Sequence, residues 1–313
     1  MSSSAPALSF VVPLYFTGDG VSTLLDAFRD LTVEGGYEVI LVNDGSTDET
    51  LSKLEALVPT MPYPVTWVDL ARNYGEHAAV MEGLRRSRGE WVVTLDDDLQ
   101  NPISEALRLH QHAVATRAEV VYSYYAKKKH SLFRNLGSWF TNLLASFFLG
   151  KPRDLYLCSF RCLSRSLVDR ITLYSGPFPY IDGSVLNATN RIETLLVRHE
   201  ERADGQSGYT LRRLVRLWMN MFFNFSIMPL RVASLFGLVL CLTGMGLAVA
   251  TVLEYFYWKK PPTGWSSQMA AISLFSGGQL LILGLLGEYV GRAYLTLAGK
   301  PQSLVRSAHH HHP

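Results

Sequence analysis

Two long apolar stretches near the C-terminal end constrain this chain more than any other feature. They run from Val232 to Leu253 and from Met269 to Val290, and each contains 22 residues. A helix needs roughly 20 apolar residues to cross the hydrocarbon core of a bilayer. We therefore predict two membrane-spanning helices, joined by a short loop that contains Lys259, Lys260 and two tryptophans. The competing interpretation is a pair of buried helices in a large soluble core.

Basic residues are distributed unevenly around the two stretches. Two, Lys259 and Lys260, lie between the stretches, and seven flank their outer ends. The seven are Arg212, Arg213, Arg216, Arg231, Arg292, Lys300 and Arg306. Because segments rich in Lys and Arg tend to stay in the cytoplasm, this asymmetry predicts that both chain ends are cytoplasmic.

The net charge and the C-terminal histidines limit which partners and metal sites the sequence predicts. A net charge of +2 argues against a strong nucleic-acid-binding protein, so no nucleic acid is expected as a partner. The histidines at 309–312, followed by Pro313, resemble the remnant of an expression tag. We therefore leave them out of any prediction of a metal site.

The first two hundred residues alternate β-branched runs with amphipathic helical segments. Strands are predicted at Leu8–Val12, Glu38–Val42, Val65–Leu70 and Trp91–Leu95. Helices are predicted from Ser46, which has capping-box spacing to Glu49, over Glu76–Arg86, and after Pro102. This order is typical of an α/β layer fold built largely on parallel strands.

Polar residues follow these predicted strands at their carboxyl ends, where α/β sheets bind ligands. The acidic run after the fourth strand is the most informative. Period-two alternation predicts that Asp96 and Asp98 converge, while Asp97 turns to the other side. The charge of Asp97 would then either strengthen metal binding from nearby or face solvent. Two carboxylates with Gln100 nearby suit Mg²⁺ or Mn²⁺, in particular a cation that already carries phosphates. A solvated acidic turn is the alternative.

Five motifs occur in an order that is itself informative. They are Val11-Val12-Pro13-Leu14-Tyr15, Asn43-Asp44-Gly45-Ser46, Arg72-Asn73-Tyr74-Gly75, Asp96-Asp97-Asp98-Leu99-Gln100 and Gly287-Glu288-Tyr289-Val290-Gly291-Arg292. With the two apolar stretches, they resemble polyprenyl-phosphate glycosyltransferases of glycosyltransferase family 2, which are similar to dolichyl-phosphate mannose synthase. The resemblance is to the bacterial branch with two C-terminal transmembrane helices, which includes undecaprenyl-phosphate glucosyl and 4-deoxy-4-formamido-arabinosyl transferases.

The resemblance implies an α/β GT-A domain, Rossmann-like and nucleotide-sugar-binding, followed by juxtamembrane amphipathic helices and two transmembrane α-helices. The implied boundaries are 1–207 for the catalytic domain, 208–228 for the juxtamembrane segment, 229–256 for the first transmembrane helix, 257–267 for the far-side hairpin, 268–294 for the second transmembrane helix, 295–308 for a cytoplasmic tail and 309–313 for the tag remnant.

The implied activity is the inverting, metal-dependent transfer of a sugar from a nucleotide-diphosphate sugar to a polyprenyl phosphate. A UDP-sugar donor, undecaprenyl phosphate as acceptor and Mg²⁺ or Mn²⁺ as cofactor are expected. The enzyme would work at the cytoplasmic face of the bacterial inner membrane, in contact with the bilayer, and make a lipid-linked sugar for the cell envelope. The resemblance also suggests a homo-oligomer, for example a tetramer.

By the same resemblance, site residues fall into three groups. Pro13, Tyr15, Asp44 and Asp96 would bind the nucleotide, and Asp96, Asp98 and Gln100 would hold the metal. Arg161, Arg202, Ser207 and Lys128 would contact the diphosphate or the acceptor phosphate. Asp96, Asp98 and Arg161 are the predicted catalytic residues, and the interpretation that competes for Arg161 is a surface arginine.

Five residues, at four places in the chain, depart from the pattern of the family. Phe16-Thr17 replaces the usual Asn-Glu pair, which removes a carboxylate expected near the ribose. Tyr125 replaces a common arginine, Gly208 replaces a lysine, and Asp97 replaces a small residue. These departures leave the choice of donor base and sugar open.

Two other functional classes fit parts of the sequence. A catalytically idle membrane scaffold with the same fold would not need Asp96, Asp98, Gln100 or Arg161. A processive polysaccharide synthase would be expected to carry more membrane helices and a Gln-x-x-Arg-Trp motif, which the sequence lacks.

Overall fold

The computed structural model describes residues 5–125, 155–198, 228–258 and 264–313. The chain divides into two compact units. The first contains residues 1–218 and 299–313, and the second contains residues 219–298.

The first unit is built on one mixed sheet. Among the described residues, this sheet has eight strands, namely β1 (Leu8–Leu14), β2 (Tyr37–Asn43), β3 (Val65–Leu70), β4 (Trp91–Thr94), β5 (Val120–Tyr125), β6 (Arg161–Ser164), β7 (Ile192–Val197) and β8 (Val305–His311). They lie in the order β7-β5-β6-β4-β1-β2-β3-β8. Strands β4, β1, β2 and β3 run parallel to one another, whereas β6 and β8 are antiparallel to their neighbours.

Helices cover both faces of this sheet. They are α1 (Gly20–Arg29), α2 (Thr50–Leu57), α3 (Glu76–Arg86), α4 (Ile103–Thr116), α5 (Arg165–Thr172) and α6 (Ile181–Ala188). Side chains of successive strand residues point to opposite faces, so Phe10 and Val12 pack with α1, α2 and α4, while Val11 packs with α3, α5 and α6. Strands buried on both faces read as continuous apolar runs, as β1 and β2 do.

The predicted elements differ from the observed ones mainly at helix α2. The helix begins at Thr50, four residues after the predicted start, and Glu49 makes no side-chain capping bond. The hydroxyl of Ser46 instead accepts a hydrogen bond from the backbone N–H of Phe16, at 3.1 Å. The predicted capping box is therefore wrong, because Ser46 joins two loops at the sheet edge.

Three of the C-terminal histidines pair with the sheet. His309, His310 and His311 belong to β8, which pairs with β3 along the sheet edge. The His309 ring stacks on the Trp67 indole with centroids 4.3 Å apart, and His310 Nδ1 lies 2.9 Å from Thr66 Oγ1. The interpretation of residues 309–313 as a tag remnant stays a prediction, because strand pairing does not reveal the origin of a segment.

The second unit contains two long helices, α7 (Met228–Trp258) and α8 (Trp265–Leu297). Within the described residues, one segment, Leu274–Leu297, is long and apolar enough to cross a membrane, with a mean hydropathy of 1.4. A shorter apolar segment lies at Leu230–Gly246. Of the two predicted membrane spans, the one in α8 is thus long and apolar enough in the structure.

Glu288 in α8 forms an ion pair with Arg292 at 2.7 Å, one helical turn away.

Candidate active site

Loops that follow the parallel strands form the candidate site. Residues 15–19 follow β1, residues 44–49 follow β2, residues 71–75 follow β3 and residues 95–102 follow β4. Because the four strands are parallel, these loops lie along the same edge of the sheet.

Asp44 holds two of these loops together. Its carboxylate accepts hydrogen bonds from the backbone N–H groups of Tyr74, at 2.7 Å, and Gly75, at 2.9 Å. Burial raises the pKa of the Asp44 carboxyl, although both donors favour its charged form. At Gly45, with φ of +66°, a Cβ atom would lie 2.3 Å from the Arg72 carbonyl carbon, so only glycine permits this approach. Asp44 thus holds the loops after β2 and β3 together beside the predicted nucleotide site.

The acidic run follows β4 as a turn. The strand ends at Thr94, and Leu99 has a positive φ of 52°, so strand alternation does not extend through the run. Asp96 accepts a bond from Ser159 Oγ at 2.8 Å, and Asp98 Oδ1 accepts one from the Gln100 backbone N–H at 3.2 Å. The predicted metal ligands Asp96, Asp98 and Gln100 therefore lie in a turn and not in a strand.

The donor atoms of this turn are those that Mg²⁺ and Mn²⁺ prefer, namely carboxylate and amide oxygens. Within the described residues, no group of three His, Cys, Asp or Glu side chains could hold a metal without other ligands. A metal that shares its coordination with substrate phosphates needs only one or two protein carboxylates. The residues present therefore fit a cation that arrives with a diphosphate.

Asp97 is partly exposed, and protein as well as solvent contacts its carboxylate. Its carboxylate accepts a hydrogen bond from the hydroxyl of Thr17, in the loop after β1. Burial raises the pKa of the Asp97 carboxyl, and the neighbouring Asp98 and Asp96 add to the effect, while Thr17 opposes it. The loop after β4 is thereby tied to the loop after β1.

Arg161 is buried, with 2% of its surface exposed, so it is not a surface arginine. Its guanidinium forms an ion pair with Asp182 on α6, and the Tyr122 hydroxyl donates to the same carboxylate at 3.0 Å. Burial alone would lower the pKa of Arg161, but Asp182 in particular holds it above its ordinary value. One nitrogen of the Arg161 guanidinium is paired with Asp182. A direct contact between Arg161 and an acceptor phosphate stays a prediction.

Sequence reasoning missed two residues at the start of α3. Part of the Glu76 side chain is open to solvent, but protein atoms surround its carboxyl. This burial, followed by the charge of Asp96, raises the pKa of Glu76 to about 7. The ring of His77 packs edge-on against Tyr180 at 5.0 Å, and burial lowers its pKa to about 4. The position of both residues directly after the Arg-Asn-Tyr-Gly motif was the available signal.

Aromatic side chains line the loop after β1. Pro13 lies within β1, and Tyr15 and Phe16 follow it with 45% and 51% of their surfaces exposed. Their rings meet edge-on at 4.5 Å, and Phe16 has a φ of +57°. Exposed aromatic faces at this edge could receive a flat ring of a ligand.

Several predicted residues lie outside the described part of the chain. They are Lys128, Arg202, Ser207 and Gly208. The predicted phosphate contacts of Lys128, Arg202 and Ser207 stay predictions, as does the loss of a cation at Gly208.

The mixed sheet, with acidic and amide side chains at the carboxyl ends of its parallel strands, is a GT-A-like α/β fold. The family model described as glycosyl transferase family 2 matches residues 9–174, and the chain belongs to this family. It is a glycosyltransferase.

Curated relatives extend the similarity over nearly the whole chain. The chain is 32% identical over 315 residues to the undecaprenyl-phosphate 4-deoxy-4-formamido-L-arabinose transferase of Pseudomonas fluorescens (strain SBW25), with 98% of this chain and 91% of the relative covered. The protein of the same name from Yersinia pestis bv. Antiqua (strain Angola) is 32% identical over 305 residues, with 96% and 92% covered.

A solved structure supports the fold. Glucosyl-3-phosphoglycerate synthase from Mycobacterium tuberculosis, in complex with phosphoglyceric acid, matches with a TM-score of 0.50 and 19% sequence identity. The match covers 69% of this chain and 80% of that one. At this identity the likeness concerns the fold alone.

Proposed function

We propose that this protein transfers one sugar from a UDP-sugar to undecaprenyl phosphate, with inversion at the anomeric carbon. The observation that carries the proposal is the similarity, over 98% of the chain, to transferases whose names specify undecaprenyl phosphate. The oxygen-rich turn at Asp96–Gln100 supports it from the side of the donor, because this turn suits a cation that carries phosphates.

Donor binding is assigned to the loops at the carboxyl edge of the sheet. The exposed rings of Tyr15 and Phe16 would contact the base, and the loops joined by Asp44 would hold the nucleoside. Asp96, Asp98 and Gln100 would hold Mg²⁺ or Mn²⁺ beside the diphosphate. When bound, that cation supplies Lewis-acid stabilisation of the charge that develops on the departing diphosphate.

The chemical step is a single displacement. A phosphate oxygen of the acceptor forms a bond to the anomeric carbon, while the bond from that carbon to the β-phosphate oxygen of the donor breaks. The electron pair leaves with UDP, and attack from the opposite side inverts the carbon. An alkyl phosphate is already an anion at neutral pH, so no side chain has to remove a proton, and orientation of the two substrates dominates catalysis.

Acceptor binding is assigned to the membrane side of the protein. The apolar segment Leu274–Leu297 would lie in the bilayer that also holds the polyprenyl tail. We extend this to a two-span topology with both chain ends in the cytoplasm, on the basis of the seven-to-two distribution of basic residues. Self-association into a homo-oligomer is part of the same proposal.

The proposal is tested with purified protein, a panel of nucleotide sugars, Mg²⁺ or Mn²⁺, and undecaprenyl phosphate. We expect UDP release that depends on both the polyprenyl phosphate and the cation. The matched control replaces the acceptor with undecaprenol, which lacks the nucleophilic phosphate. UDP release at equal rates with both lipids, or no release with any donor, would contradict the proposal.

A further inference from the structure

The C-terminal strand β8 makes two connections to the loops of the donor site, and both involve Arg306. The guanidinium of Arg306 donates to Asp69 Oδ2 at 2.9 Å and to the backbone carbonyl of Ala71 at 2.9 Å. Asp69 is 1% exposed, so Arg306 neutralises a carboxylate that water hardly reaches. A buried carboxylate without such a partner is strongly destabilising.

The first connection leads to the loop after β2. The other oxygen of Asp69 accepts a hydrogen bond from Asn43 Nδ2 at 2.7 Å. The amide oxygen of Asn43 in turn accepts from the backbone N–H of Ser46 at 3.3 Å. Asn43 is fully buried, so this amide has few alternative partners. Arg306 thus connects through two buried side chains to the loop that carries Asp44.

The second connection leads to the loop after β3. Both backbone polar groups of Ala71 bond to the C-terminal segment. Its carbonyl accepts from Arg306, and its N–H donates to the Leu304 carbonyl at 2.8 Å. Ala71 opens the loop that ends at Gly75, whose N–H donates to Asp44. This loop is therefore fixed by β8 at its first residue and by Asp44 at its last.

We propose that Arg306 is a positioning residue for the nucleotide half of the donor site, and that β8 completes this site. The inference rests on the proposed function only in naming the ligand, a nucleoside diphosphate. Because β8 follows both long helices in the chain, the donor loops reach their final geometry only when the segment after α8 has paired with β3. Arg306 donates to Asp69 and Ala71, so it acts on the donor loops through these two residues.

The first test measures the loops themselves by backbone hydrogen exchange in the full-length, detergent-solubilised protein without ligand. In Arg306→Ala we expect peptides spanning residues 43–46 and 71–75 to exchange about tenfold faster, because contacts to a charged group are lost. Arg306→Lys should restore part of the protection, since it keeps the charge beside Asp69. The matched control is Arg29→Ala, which removes an exposed ion pair with Asp26. Unchanged exchange at both loops in Arg306→Ala would overturn the inference.

The second test separates positioning from general instability. For Arg306→Ala we expect the KM for the UDP-sugar to rise about tenfold, with the KM for undecaprenyl phosphate unchanged. The double variant Asp69→Asn/Arg306→Ala should be no worse than Arg306→Ala, because the unpaired buried charge is gone. Additive losses, or equal rises in both KM values, would overturn it. If the wild-type protein transfers no sugar, the proposed function fails, while the exchange result still decides the role of Arg306.

Discussion

Asp97 and Asp98 are neighbours in one turn, but their carboxylates have different surroundings. Asp97 accepts a hydrogen bond from Thr17, whereas Asp98 caps its own turn through the Gln100 backbone N–H. A carboxylate engaged by a neighbouring hydroxyl can be replaced by an amide, which still accepts a bond. A carboxylate that binds a cation cannot be replaced in this way, because an amide carries no charge.

We therefore expect Asp98→Asn to lower kcat about 100-fold or more, and Asp97→Asn to lower it about tenfold or less. The measurement is sugar transfer as a function of Mg²⁺ and Mn²⁺ concentration. The variant Asp97→Asn serves as the matched control, since it makes the same chemical change one residue away. Equal turnover in the two variants, unaffected by a chelator, would contradict the assignment of the metal ligands.

Glu76 provides a prediction on pH, since burial and then the charge of Asp96 raise its pKa from 4.5 to about 7. The folded protein binds the proton of Glu76 more tightly than the unfolded chain does, so this contribution to stability is complete below about pH 4.5 and is lost as the pH rises through about 7. In metal-free protein at about pH 8, Glu76→Gln removes this unfavourable charge. Because solvent screens it, we expect the free energy of unfolding to rise by only about 1 kcal/mol, which corresponds to a rise in Tm of about 2–4 °C.

The gain from Glu76→Gln should vanish at about pH 4.5 or below, where both states carry the proton. Thermal unfolding in the presence of a chelator gives the values, and Glu55→Gln, at an exposed position on α2, is the control. A gain of the same size at both pH values would show that the Glu76 charge is not its cause.

At the residue scale, local motifs predicted candidate members of the site but not the side chains that they contact. The sequence points to Asp96, Asp98 and Arg161, because each lies in a short recognisable segment. The Arg161–Asp182 pair depends on the way β6 and α6 pack together, and no local pattern encodes that packing. The same holds for Thr17 and Asp97, which are 80 positions apart.

At the scale of elements, periodicity predicted the parallel half of the sheet well. Strand β3 and helix α3 have the predicted bounds, and β1, β2 and β4 differ by one or two residues at their ends. Strands β5 to β8 were not predicted. The sequence of β5 has the β-branched and aromatic residues typical of a strand, so that signal was present, whereas the four-residue β6 pairs with β4 and β5 and carries little signal of its own. Strand β8 is the clearest case, because a run of histidines has neither the alternation nor the β-branched residues of a strand.

Glycines in α7 and α8 allow these two helices to approach within the second unit. A Cβ atom at Gly278 would lie 2.7 Å from Leu240 Cδ1, whereas one at the adjacent Gly277 would meet nothing within 4 Å. Small residues at such contacts let membrane helices pack closely. We expect Gly278→Leu to destabilise the helix pair by about 1–3 kcal/mol through overpacking.

The control for this prediction is Gly277→Leu, which adds the same side chain on open space in the same helix turn. Thermal unfolding in detergent, followed with a probe on α7 or α8, compares the two variants. Equal loss of stability in both would show that the contact with Leu240 does not set the cost, since leucine forms helices better than glycine does.

At the scale of the whole molecule, the distribution of basic residues leads to a proposed topology with a far-side loop between α7 and α8. In a background without Cys158, Cys162 and Cys241, a cysteine at Ser266, in the first turn of α8 beside this loop, should be labelled in intact cells by a membrane-impermeant reagent. A cysteine at Ser303 should be labelled only after the cells are opened. The reverse pattern would place the donor site on the side without cytosolic nucleotide sugars.

The central claim is that one sugar is transferred to the phosphate of a polyprenyl phosphate, and mass spectrometry of the lipid product tests it most directly. The purified protein is incubated with the UDP-sugar that supports UDP release, together with undecaprenyl phosphate and Mg²⁺ or Mn²⁺. We expect a single new lipid whose mass equals that of undecaprenyl phosphate plus one glycosyl residue, formed in a one-to-one ratio with UDP. Free sugar in place of the lipid product, or lipids that carry a series of added sugars, would contradict the account.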